Sequence, residues 1–155
     1  MLWQRALMAV LALPLVVAFL VPNLIAIFDP WRMPGLGLGL LLLLLGVVLL
    51  VWCVRDFYVA GKGTLAPWNP PEQLVIVGLY RYSRNPMYVV VLIILSGWIL
   101  LLGSPVLVVY TVGVAYAFHH RVVRYEELRL RETFASAWEA YEQSVPRWLG
   151  RKPRS

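Results

Sequence analysis

The chain has 155 residues, 61% of them hydrophobic and 14% charged, with a mean hydropathy of +0.73, a formal net charge of +6 and a pI near 9.8. This composition excludes an ordinary soluble domain and predicts an all-α integral membrane protein forming one domain over residues 1–155, with room for about four transmembrane helices at roughly 20 apolar residues each. A single cysteine excludes an internal disulfide framework and argues against a cysteine-based metal centre, and the basic excess reads as membrane topology and headgroup contact rather than nucleic-acid binding.

The first predicted span is residues 6–28, with Pro14 and Pro22 inside it as kink points. Arg5 ahead of it would also suit a secretory signal, but the run is longer than a signal's apolar core and no small-x-small cleavage site follows. The second span is residues 36–54, ending at Arg55 and Asp56, with Cys53 read as a small buried hydrophobe. Gly35-x-Gly37-x-Gly39 at its start lacks the spacing of a nucleotide loop and reads as close helix packing. A long loop follows, interrupted by Gly61, Gly63, Pro67, Pro70 and Pro71, with Trp68 suited to the membrane interface.

Gly78-Leu-Tyr-Arg-Tyr-Ser-Arg-Asn-Pro-Met-Tyr88 is a polar, aromatic and basic run set directly against the third span, residues 87–102. Gly103-Ser104-Pro105 then turns the chain into the fourth span, residues 106–118, so that the last two spans make a short helical hairpin. All but one of the 14 Lys and Arg residues lie before the first span, in the long loop or after the fourth span. By the positive-inside rule these segments, and both termini, are cytoplasmic.

After the fourth span comes a predicted amphipathic helix over residues 119–143. Leu130, Phe134, Trp138 and Tyr141 form its apolar stripe. Stepping back four from Leu130 reaches Glu126, and seven further His119, so both are expected to face inward. Glu127 is expected to face solvent between Arg124 and Arg131. An inward carboxylate beside a membrane is a functional candidate, with a Glu126–Arg84 ion pair as the structural alternative. His119 and His120 also suit headgroup anchoring, and as neighbours that diverge on a helix they do not make a metal site. Arg81 and Arg84, among Tyr80, Tyr82 and Tyr88, suit a ligand that carries both charge and an aromatic group.

Separated blocks in a fixed order carry a resemblance over residues 61–150. They are Leu74-Val75 with Gly78-x-Tyr80, Arg84-Asn85-Pro86-x-Tyr88, His119 with Glu126-Glu127-x-x-Leu130-x-x-x-Phe134, and Tyr141-x-x-x-Val145-Pro146-Arg147-Trp148. In these the chain resembles the isoprenylcysteine carboxyl methyltransferase family, integral membrane enzymes related to the phospholipid N-methyltransferases. The resemblance implies S-adenosylmethionine-dependent methyl transfer to a lipophilic acceptor, a membrane lipid or small molecule, at the cytoplasmic face of the membrane. It implies a cofactor site over the loop 61–88 and the tail, lined by Leu74, Val75, Tyr80, Asn85, Pro86, Met87, Tyr88, His119 and Glu126. Arg84 and Glu126 are the candidate catalytic pair, Arg84 for the cofactor's carboxylate and Glu126 for its ammonium or ribose. Phospholipid amine or small-thiol methylation is an alternative, and so is a non-enzymatic scaffold that keeps the fold.

Four positions depart from the family's pattern. Asn85 occupies a place where His is usual, Ala135 replaces a usual Gly and Trp138 a usual Tyr, the latter two being read as tolerable on a helix face. Val122 stands where eukaryotic members place an Arg four residues before the inward Glu. A composition rich in Leu, Arg, Ala and Gly points to a bacterial inner membrane.

Overall fold

A computed structural model describes residues 14–61 and 73–150. The described residues are helical and contain no strand. Helix α1 is Val16–Phe28, α2 is Leu38–Gly61, a 3₁₀ turn covers Gly78–Arg81, α3 is Pro86–Leu102 and α4 is Pro105–Arg121. A π-helical turn, Val122–Glu126, joins α4 to α5, Glu127–Ser144, so helix continues from Pro105 to Ser144. Two helices, Leu38–Gly61 and Pro105–Ser144, are long and apolar enough to cross a membrane, while α1 and α3 are shorter apolar helices. The start of the first predicted span and the segment holding Gly63, Pro67, Trp68, Pro70 and Pro71 lie outside the described residues.

Glycines set how closely α2 and α3 approach. A Cβ on Gly39 would strike the backbone of Leu101 and the carbonyl of Gly97, and one on Gly97 would come within 2.9 Å of the Leu43 nitrogen. Around this seam Leu43, Leu50 and Cys53 of α2 pack with Val90, Val91, Ile94 and Leu95 of α3, joined by Ala18 of α1 and Phe118 of α4. Close packing of this kind holds helices together where no water is available to drive association.

Helix α1 depends on its neighbours for hydrogen bonds. Pro22 has no N–H, which frees the carbonyls four and five residues earlier, those of Ala18 and Val17. The Trp98 indole of α3 donates to the Ala18 carbonyl at 2.8 Å, and the Tyr110 hydroxyl of α4 donates to that of Val17 at 2.9 Å. An apolar surrounding offers these carbonyls no other donor.

At the hairpin, Gly103 caps α3 in the left-handed conformation (φ 56°), Ser104 Oγ accepts from the Leu107 N–H at 3.1 Å, and Pro105 opens α4. This turn follows the residues as read. The second helix does not stop at Val54. It continues to Gly61, because Arg55 and Asp56 end the apolar run without breaking the helix, and no Gly or Pro intervenes before Gly61.

Candidate functional site

The segment before α3 is bound to the end of the tail by main-chain and side-chain hydrogen bonds. Val75, Tyr80, Trp138, Tyr141 and Val145 are buried, with Leu74 and Phe134 packed beside the last three. The Tyr141 hydroxyl donates to the Tyr80 carbonyl at 2.6 Å, and the Arg84 N–H donates to the Pro146 carbonyl at 2.9 Å. Asn85 Nδ2 and Ser83 Oγ both donate to the Arg147 carbonyl, at 3.1 and 3.3 Å. Asn85 therefore supplies an N–H to the tail, a task that needs a donor and no titratable ring. Burial pushes the Tyr80 phenol well above its ordinary value, with Cys53, Tyr141, Asp56 and Glu126 adding to the effect. Burial likewise raises Tyr141, against the opposing charge of Arg84.

An ionic network lies over this docking surface and corrects the expected facing of the two glutamates. Glu127 is buried, not solvent-facing: its carboxylate takes Arg147 through two bonds of 2.8 and 2.7 Å and Arg84 at 3.1 Å. Arg84 also reaches Glu142 at 3.1 Å, lies 5.3 Å above the Trp138 ring, and has a side chain only 4% exposed. Glu142 in turn holds Arg131 at 2.7 Å. Burial works against the Glu142 carboxylate, yet Arg131 and Arg84 bring it below its ordinary value. The hydrogen bonds that Arg147 donates to Glu127 lead the causes that raise Arg147. The alternative Glu126–Arg84 ion pair is not formed, since Arg84 is engaged by Glu127 and Glu142.

Geometry explains the reversal. Stepping back from Leu130 by three is as permissible as by four, and at about 100° per residue Glu127 falls about 25° from the centre of the Leu130–Tyr141 stripe and Glu126 about 75°. The π-turn ends between the two, so a face counted through it from α4 is shifted by one residue.

Glu126 belongs to a second cluster, where α3 begins and α4 ends. Its Oε1 accepts from the Tyr88 hydroxyl at 2.5 Å and from Arg121 Nε at 2.7 Å. Five residues along an α-helix would set Arg121 and Glu126 about 140° apart, and the π-turn closes that angle. The Tyr88 ring lies 4.4 Å from that of Phe118, centroid to centroid. Trp148 donates to His119 Nδ1 at 3.4 Å, with the two rings 6.1 Å apart. Pro86 is buried in the first turn of α3, and Met87 packs on the helical core.

Of the residues singled out in the sequence, Tyr88, His119 and Glu126 thus lie about the α3–α4 end. Leu74, Val75, Tyr80, Arg84 and Asn85 build the wall that carries the tail. Arg121 and Glu142 went unread, and Arg147 was noted only within a sequence block and given no role. The first is hidden by its five-residue spacing, and the others acquire partners only when the tail folds back.

Ala135 is the only described non-glycine residue with positive φ (φ 39°, ψ −112°). These angles resemble the first central residue of a type II′ turn, a position dominated by Gly. The site is therefore not an ordinary helix face, and Ala carries backbone strain where Gly would not.

A helical chain with two helices able to cross a bilayer, and an acid–tyrosine–arginine cluster where its apolar helices end, has the build of a membrane-embedded enzyme. The phospholipid methyltransferase family model matches residues 35–137, more than half of the chain, and the chain belongs to that family of membrane methyltransferases. The match runs from α2 through the π-turn into α5. No curated protein and no solved structure gives a significant match.

Proposed function

We propose that the protein transfers a methyl group from S-adenosylmethionine to the headgroup amine of a membrane phospholipid, at the cytoplasmic side of a four-span bundle. The observation that carries this reading is the Glu126 carboxylate: Tyr88 and Arg121 share its Oε1, leaving Oε2 for a ligand. The available donors and acceptors fit the cofactor. A carboxylate oxygen suits an ammonium or ribose hydroxyl, the part-exposed Arg121 guanidinium suits a carboxylate, and the Tyr88–Phe118 pair suits a flat ring or a cation.

When bound, S-adenosylmethionine supplies an electrophilic methyl group. The chain's own contribution is alignment in a site poor in water, where orientation alone is worth several kcal/mol. An amine acceptor must lose its proton to attack, and the Glu126 carboxylate, whose orientation Tyr88 and Arg121 fix, is one group able to receive it. His119, joined to Trp148, is a second group able to hold a proton at this end. Arg84 and Glu127 act in this reading as positioning residues that keep the tail, and so Glu126, in place.

A carboxyl acceptor, as in isoprenylcysteine carboxyl methylation, is the second reading. It is favoured by Arg121, whose side chain is 54% exposed and open to an anion. Purified protein in detergent with methyl-labelled cofactor and host lipids separates the two. A base-stable label in phosphatidylethanolamine products supports the first, a base-labile label indicates a methyl ester, and no binding of cofactor refutes both and favours a scaffold.

A further inference from the structure

Asp56 is a partly exposed acid outside the cluster just described, with one carboxylate oxygen withdrawn from solvent. It lies on α2 near the end of the helix where the apolar run stops, and its Oδ2 is sealed from solvent with no hydrogen-bond partner. The residue as a whole keeps part of its surface open, so the carboxylate sits at the edge of the protein. Gly78, at φ 54°, opens the 3₁₀ turn directly over it: a Cβ there would collide with Asp56 Oδ2 and come within 3.2 Å of Trp52 Nε1. The turn carries Tyr80, whose ring lies 6.2 Å from that of Phe57, the residue after Asp56. Asp56 and Glu126 are both among the charges that raise the Tyr80 phenol, after its burial.

An unpaired carboxylate oxygen withdrawn from water is costly, and such a group is kept where it meets a cation. Resting on the reading above, the reaction brings two amino groups to this end of the bundle, that of the methyl donor and that of the acceptor. Glu126 Oε2 offers a place for one. We infer that Asp56 binds the other: its carboxylate is an ammonium-recognition site, and Gly78 lacks a side chain so that the turn can close over it. The negative charge is shared by both carboxylate oxygens, so an ammonium that reaches Oδ1, the oxygen not sealed, compensates the acid without rearranging α2.

The test is Asp56→Asn in the full-length protein in detergent. It is titrated calorimetrically with S-adenosylhomocysteine and with 5′-methylthioadenosine, which lacks the amino-acid end, and assayed for KM with dispersed phosphatidylethanolamine. Tm is measured alongside. Asparagine keeps the shape and removes an unpaired charge, so Tm should hold or rise. If Asp56 holds the donor's ammonium, affinity for S-adenosylhomocysteine falls at least tenfold while that for 5′-methylthioadenosine is unchanged, and Asp56→Glu restores part of the loss. If it holds the acceptor's amine, both nucleoside affinities are unchanged and KM for phosphatidylethanolamine rises at least tenfold.

Unchanged affinities together with an unchanged KM overturn the inference. So does a variant that fails to fold, or one that loses Tm and weakens both nucleosides alike, since the carboxylate would then be structural. Wild-type protein that binds no S-adenosylhomocysteine is a separate result, which removes the proposed function itself.

Discussion

Replacing Glu127 by Ala should destabilise the protein far more than replacing its neighbour Glu126. The Glu127 side chain is 9% exposed, and its carboxylate meets Arg147 at 2.7 Å and Arg84 at 3.1 Å, where Arg84 is itself 4% exposed. Removal leaves the buried guanidinium of Arg84 with Glu142 alone, and breaking a buried pair from one side costs about 3–5 kcal/mol. For a chain of this size that corresponds to a fall in Tm of about 6–20 °C. Glu126 is 30% exposed and Arg121 54%, so Glu126→Ala strands mainly the Tyr88 hydroxyl, at about 1 kcal/mol. Thermal unfolding in detergent, followed by tryptophan fluorescence, reads the difference, and Trp138 beneath Arg84 reports on the network directly. Cofactor titration should show the opposite order, with binding lost in Glu126→Ala. Equal Tm losses for the two variants would refute the division of labour between the glutamates.

Ala135→Gly relieves a positive-φ alanine and should stabilise the protein by about 1–2 kcal/mol, seen as a higher Tm. The Glu142 carboxyl is held below its ordinary value in the folded protein. Its contribution to stability is thus complete above the unfolded-state pKa of about 4.3 and lost as pH falls through the lower folded value. Tm scanned from pH 7 downward should therefore drop across that acid window, and Glu142→Gln should flatten the drop. Trp98→Phe leaves the Ala18 carbonyl without its donor in an apolar surrounding, at about 1–3 kcal/mol, and Tm should fall without any change in cofactor affinity.

The helices were legible because each apolar run is long and its punctuation plain: Gly103, Ser104 and Pro105 do in the fold what their chemistry predicts. The end of α2 was not, because polarity changes at Arg55 while helix formation persists to Gly61. Tyr88 and Glu126, singled out from the aromatic run and the tail, meet at 2.5 Å. The facing of Glu127 was misread because a stripe fixes a direction only to within a residue, and the π-turn Val122–Glu126 adds the one residue that decides it. Arg121 was passed over for the same reason. Position 122 was searched for an arginine at α-helical spacing, while the widened turn brings the residue at 121 onto Glu126. The positive φ of Ala135, an exposed residue inside α5, has no signature in periodicity at all, since its neighbours continue the helical pattern on both sides.

Glu126 and Glu127 are adjacent in sequence and opposite in duty, and the extra residue of the π-turn is what separates them. On an unbroken α-helix Arg121 would point away from Glu126, and the carboxylate would face Tyr88 without a countercharge. With the turn widened, Glu126 closes the π-segment toward α3 while Glu127 opens α5 toward Arg84 and Arg147. The two placements depend on each other. The network at Glu127 fixes the start of α5, which fixes the end of the π-turn, which sets where Glu126 meets Tyr88. A π-turn is less favourable than the α-helix it interrupts and persists where tertiary contacts hold it. Here those contacts include the ion pairs of the tail, so the rigidity of the wall and the geometry of the Glu126–Tyr88–Arg121 cluster are coupled.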